Sequence, residues 1–138
     1  MTGIQEFAKS EDGDGALAAE RDLLAAGLEN VQGIVGTMVG FLTAAQEDVR
    51  SLYRVGQNTG RLLFALGDLV VAWLLLRQAE VALVALAAGP GPADRAFYTG
   101  KVAAARFFAR QVLPLLSAQR VVAEATDNDL MDLAEDAF

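Results

Sequence analysis

An all-α antiparallel bundle of three long helices, with short terminal helices, is the fold this sequence predicts. Three observations carry that expectation. Apolar residues recur every three or four positions through three stretches of about thirty residues each. Clusters of glycine, proline and small polar residues separate those stretches. Alternating apolar and polar residues, the mark of a half-buried strand, occur nowhere in the chain.

Residues Ile4–Ser10 read as the end of a helix, and residues 1–15 as a flexible or truncated lead. Glu11-Asp12-Gly13-Asp14-Gly15 is an acidic break, and Asp14 is a suitable N-cap for the helix after it. The helical-bundle domain is expected over residues 16–138.

The first long helix is expected over Ala16–Gln46. Leu17, Leu24, Leu28, Val31, Val35, Met38, Leu42 and Ala45 form its apolar face, with Arg21 as the polar interruption. Gly33, Gly36, Gly40 and Ala44 form a neighbouring row. Each glycine costs a helix about 1 kcal/mol relative to alanine, so the row predicts another backbone close by.

Asp48 is placed to cap a short turn over Val49–Val55, and Gly56-Gln57-Asn58-Thr59-Gly60 allows a bend. The second long helix is expected over Gly60–Ala88. Three apolar seams run round it, so it must be central or covered by a partner. Gly89-Pro90-Gly91-Pro92 ends it, and Pro92 suits the first turn of the next helix.

The third long helix is expected over Ala93–Ala123, with Phe97, Ala104, Phe108, Val112, Leu115 and Val122 facing inward. Pro114 lacks a backbone donor and should kink it near Arg110. Thr126 and Asp129 have capping-box spacing before a short final helix through Leu130, Met131 and Leu133.

Composition narrows the functional classes. The chain has 138 residues, 54% of them hydrophobic, enough for one domain with a real core. It contains no cysteine and no histidine. That removes disulfides, thiolate nucleophiles, the commonest metal ligand and the commonest general base. A cytoplasmic setting is expected. No G-x-G-x-x-G, P-loop or E-x-x-H motif is present. No catalytic, cofactor-binding or metal-binding residue is assigned.

The net charge of −7 is segmented. Met1–Asp48 holds nine acids and two bases; Asp94–Ala123 holds one acid and five bases; Glu124–Phe138 holds six acids and no base. An acidic chain argues against a nucleic-acid partner. The alternation predicts that the basic row Arg95, Lys101, Arg106, Arg110 and Arg120 pairs with the acidic N-terminal segment and tail. Phosphate binding is the alternative for that row, but it lacks the N-terminal clustering of a phosphate site. Asp68 lies in the most apolar helix, and a buried carboxylate needs a partner. An ion pair with Arg106 or Arg110 is expected. Glu80 follows Arg77 by three residues, which predicts a local pair.

A transmembrane helix is not expected. Asp68, Arg77 and Glu80 interrupt Leu62–Ala88, and the longest uncharged run, Asn30–Gln46, falls short of the ~20 apolar residues a bilayer requires.

Three stretches are distinctive together: VQGIVGTMVGFLTAAQED at Val31–Asp48, GDLVVAWLLLRQAEVALVAL at Gly67–Leu86, and ADRAFYTGKVAAARFFARQVLPLL at Ala93–Leu116. With the closing Leu133–Phe138, they resemble the C-terminal end of the long bacterial acyl-CoA dehydrogenases of actinobacterial type. Those flavoenzymes desaturate acyl-CoA thioesters. The resemblance implies an accessory helical domain of an FAD-dependent enzyme of fatty acid β-oxidation type. It implies FAD in a parent enzyme and none in this chain, an inactive isolated chain, and a role in shaping the acyl-CoA channel or a subunit interface. The implied partners are the parent's catalytic domains or a second subunit, with a homo-oligomer, most simply a dimer, expected. A stand-alone helical interaction module is the alternative, and an amphipathic membrane-surface protein is a further rival.

Overall fold

The computed structural model describes residues 1–10 and 15–137. Its helices are α1 (Thr2–Lys9), α2 (Ala18–Ala44), α3 (Ser51–Ala87), α4 (Pro92–Val112) and α5 (Leu115–Glu124), with a 3₁₀ turn at Glu135–Ala137. No strand occurs among the described residues. The all-α bundle follows from the periodicity, with α2, α3 and the α4–α5 pair as its three long rods.

α3 is central. Its most extensive contacts are with α4 and α2, while α5 lies mainly on α2. Leu24, Leu28, Val31, Ile34 and Met38 from α2 meet Ala65, Leu69, Ala72 and Leu76 from α3 in one core. Leu69 and Leu76 are fully enclosed. Burial of one such side chain contributes ~1.5–3 kcal/mol.

The N-terminal lead is ordered over α1. Ile4 is buried, and Gly3 lies against the Trp73 ring of α3. The expected N-cap Asp14 and the acidic break at 11–14 lie outside the described residues.

Several local expectations are corrected. The bend at 56–60 does not form: α3 runs unbroken for 37 residues through Gly56 and Gly60. Buried Asn58 holds this stretch, donating its amide to the Arg54 carbonyl at 2.9 Å and to Thr126 Oγ1 at 3.0 Å. Thr126 therefore tethers the C-terminal segment instead of capping a helix, and Asp127 Oδ1 accepts the Asp129 N–H. The expected final helix through Leu133 is a turn around Asn128–Asp132 followed by the 3₁₀ turn.

The inner face of the third rod is also shifted. Val102, Ala105, Ala109, Leu113, Leu116 and Ala123 are buried, while Phe97, Leu115 and Val122 are exposed. The small side chains let α4 approach closely, and the bulky ones expected in the core lie one residue out of phase. Pro114 breaks the rod outright, with α4 ending at Val112 and α5 starting at Leu115.

The glycine row behaves unequally. A Cβ on Gly33 would lie 2.7 Å from Arg120 Cδ, whereas Gly36 and Gly40 face open space. Outside that row, Gly27 is packed against the core, where a Cβ would lie 3.1 Å from a Leu113 methyl and 3.2 Å from a Leu116 methyl. Gly89 has φ +73°, the left-handed conformation that ends α3 after Ala88. Pro92 begins α4 as expected.

Candidate interaction surface and buried ion pairs

Asp68 does not pair with Arg106 or Arg110. It is half-buried at a shallow groove between α3 and α5, beside Arg61, Phe64 and Gln119. The carboxylate that engages both arginines is Glu20, on α2. Arg110 Nη2 lies 2.6 Å from Glu20 Oε1 and Arg106 Nε 3.9 Å from it, with the Glu20 side chain 2% exposed. Arg106 also donates to the Ala16 carbonyl at 2.9 Å. The physical reason for the correction is phase. Asp68 projects near the uncovered side of α3, away from α4, whereas Glu20 projects into the α2–α4 junction.

The expected Arg77–Glu80 pair is likewise replaced. Glu80 bonds Arg21, whose side chain is almost fully enclosed. Arg21 also donates to the Ser10 carbonyl at 2.8 Å and lies over the Phe7 ring, so it joins α1, α2 and α3. Arg77 stacks on Trp73. Of the basic row, Arg106 and Arg110 reach the N-terminal segment as expected, Arg120 pairs locally with Glu124, and Lys101 contacts Gln78. Donating a hydrogen bond to the Glu124 carboxylate holds the Arg120 guanidinium above its ordinary pKa. The acidic tail is tied at Asp132, 3.3 Å from Arg50, and Arg50 also grips Asp48.

The other face of α3 is bare. Leu63, Phe64, Val71, Leu74 and Val81 are exposed along one stripe, with Phe64 76% accessible. Gly60 and Gly67 lie on the same stripe, and a Cβ on either would meet nothing within 4 Å. The second long helix is thus not buried on nearly all sides: one side is packed and the other is exposed. By length and composition alone α3 is apolar enough to cross a bilayer. The core helix of a bundle has the same property, and α3 carries Arg61, Asp68, Arg77 and Glu80 along its length. Towards its C-terminal end, an apolar cleft of about 430 Å³ opens between α3 and α4, walled by Leu74, Val81, Phe97 and Tyr98 and rimmed by Arg77 and Lys101.

Among the described residues no group of three or more acidic, histidine or cysteine side chains is placed to hold a metal. The bare α3 face is partly legible in the sequence, since three apolar seams exceed what two neighbours can cover. Glu20 is not, because it lies in a segment crowded with exposed acids and nothing local marks it as the enclosed one.

The family model described as acetyl-CoA dehydrogenase C-terminal like matches residues 1–134. The chain is 53% identical over 135 residues, 98% of its length, to the broad-specificity linear acyl-CoA dehydrogenase FadE5 of Mycobacterium tuberculosis. It spans 22% of that relative's length. With the family model matched across nearly the whole chain, this protein belongs to the acetyl-CoA dehydrogenase C-terminal-like family.

Proposed function

We propose that this chain is the accessory helical domain of an FAD-dependent acyl-CoA dehydrogenase acting on linear acyl-CoA thioesters in the cytoplasm. The observation that carries the reading is the 98% coverage of this chain against 22% coverage of an acyl-CoA dehydrogenase. Most of such an enzyme lies outside the matched region, and the flavin and thioester sites are assigned to that part. The domain supplies packing surface. Its ion pairs at Glu20–Arg110 and Arg21–Glu80 join α2 to α4 and α3, holding the rods in a fixed arrangement. Glu80 is engaged by Arg21, so its role is structural, and proton abstraction from the thioester α-carbon falls to a residue of the catalytic body.

The test is expression of the complete reading frame that contains this segment, followed by titration with linear acyl-CoA thioesters of graded length. The expected result is bound flavin that is reduced on acyl-CoA addition. A complete product without flavin, or flavin that no acyl-CoA reduces, contradicts the reading.

A further inference from the structure

The segment after α5 lies against the start of α3 and is held there with little apolar contact. Leu130, Met131 and Leu133 are exposed, Leu130 to 70%, and no residue of 127–137 is buried. What holds the segment is polar. Asn58 donates its side-chain amide to Thr126 Oγ1 at 3.0 Å, and Gln57 Nε2 donates to the Asp127 carbonyl at 3.3 Å. Arg50 Nη1 lies 3.3 Å from Asp132 Oδ1. Asn58 is buried, whereas Gln57, Arg50 and Asp132 are exposed.

Magnitudes place this attachment near balance. An exposed ion pair favours its closed form by about fivefold or less. Arg50 also divides its guanidinium between two carboxylates. Its Nη2 donates to Asp48 Oδ2 at 3.0 Å, so Arg50 stays neutralised when Asp132 leaves. Asn128 Oδ1 is buried without a hydrogen-bond partner among the described residues, a cost that opening to solvent relieves. The rods are held differently. Leu116 and Ala123 of α5 sit in the apolar core with α2 and α3, so the segment can open without unfolding them. Parts of a fold with few buried apolar contacts open separately from its core.

From these contacts we infer that residues 126–137 form a salt-sensitive latch on α3, hinged after α5 and set by the Arg50–Asp132 bridge, which opens and closes while the rods stay folded. Opening removes the Thr126–Asp127 wall of a groove of about 360 Å³ between α3 and α5 and bares Asn58 and Arg61 within it. The Arg61 guanidinium there is held by two neutral oxygens, Asn58 Oδ1 and Gln119 Oε1, so the charge uncovered is cationic. The inference stands whether or not the enzyme reading holds.

Solvent exchange of the Asn58 side-chain amide protons, followed by NMR in the 138-residue chain, reads the open fraction. Backbone amide exchange in α2 and α3 reports the rods. Raising NaCl from about 0.01 M to about 1 M shortens the screening length from ~30 Å to ~3 Å. That change is expected to speed Asn58 exchange about two- to fivefold. Asp132→Asn at low salt is expected to do the same and to remove most of the salt response. Adding Arg50→Gln to Asp132→Asn is expected to speed it no further. Asp136→Asn removes an exposed acid of the same segment that makes no ion pair among the described residues, and is expected to leave the rate unchanged. Proteolytic cleavage at Leu130–Leu133 gives a second measurement and is expected to follow the same order. Asn58 exchange that neither salt nor Asp132→Asn alters overturns the inference. A matching rise in the α2 and α3 backbone amides does so too, because the segment would then belong to the cooperative core. An equal effect of Asp136→Asn overturns the assignment to the Arg50–Asp132 bridge.

Discussion

Glu20 on α2 and Arg110 on α4, ninety positions apart in the chain, meet at 2.6 Å with the carboxylate enclosed and the guanidinium half in solvent. The asymmetry of that exposure sets what each change costs. Arg110→Ala strands a buried carboxylate with only the more distant Arg106 near it, and an unsatisfied buried group costs ~1–3 kcal/mol. Asp68→Ala removes a carboxylate with no partner among the described residues and is expected to change monomer stability by less than about 0.5 kcal/mol. Urea unfolding at low protein concentration measures both. A larger loss for Asp68→Ala than for Arg110→Ala would contradict the placement of the two carboxylates.

The glycines of α2 separate into two classes by what surrounds them. Gly36→Ala and Gly40→Ala add a methyl group to open space in a helix interior, and each is expected to stabilise by ~0.5–1 kcal/mol through propensity alone. Gly33→Ala drives a methyl into the Arg120 side chain and must displace it from Glu124, so its gain is expected to be smaller or reversed. Thermal unfolding of the three variants checks the order.

Asp48 carries a signed pH dependence. Hydrogen bonds from the Arg50 guanidinium and backbone N–H hold its carboxyl below the ordinary aspartate value of 3.8. A depressed folded-state pKa means stability that is present above the ordinary value and lost as pH falls through the folded one. Asp48→Asn is therefore expected to lower stability at neutral pH, with the difference from the parent shrinking below pH 3.8. Carboxyl NMR titration checks the pKa directly; a midpoint above the ordinary value would contradict the bridge.

Glu80 distinguishes structural from catalytic carboxylates. Glu80→Ala removes the carboxylate bound to enclosed Arg21 and is expected to destabilise by ~1–3 kcal/mol. In the complete enzyme, turnover per bound flavin is expected to stay within about twofold of the parent. A loss of several orders of magnitude per flavin, with reduction by acyl-CoA abolished, would make Glu80 a catalytic residue.

The class of fold and the number of rods are legible in the sequence, because periodicity and the Gly-Pro punctuation at 89–92 are local signals. The N-terminal extension of α3 is not. Gly56 and Gly60 look like a bend, and only tertiary packing of Asn58 against Thr126 shows why the helix continues through them. The phase of α4 is hidden for a similar reason. Phe97 is larger than Ala105, but a close helix crossing selects the small residue and leaves the ring at the surface. Ion pairing is legible by segment and not by residue. The N-terminal acids do meet the third rod, through Glu20, yet nothing in the spacing distinguishes Glu20 from Asp22, which is exposed.

On the proposed function, flavin chemistry resides outside this domain while the domain belongs to the enzyme that performs it. The most direct measurement is the visible absorbance spectrum of the purified 138-residue chain beside that of the complete reading-frame product. The expected outcome is a colourless domain and a yellow complete protein, holding about one flavin per chain, whose colour bleaches on addition of a linear acyl-CoA. Stoichiometric flavin on the domain alone, or none on the complete protein, would contradict it.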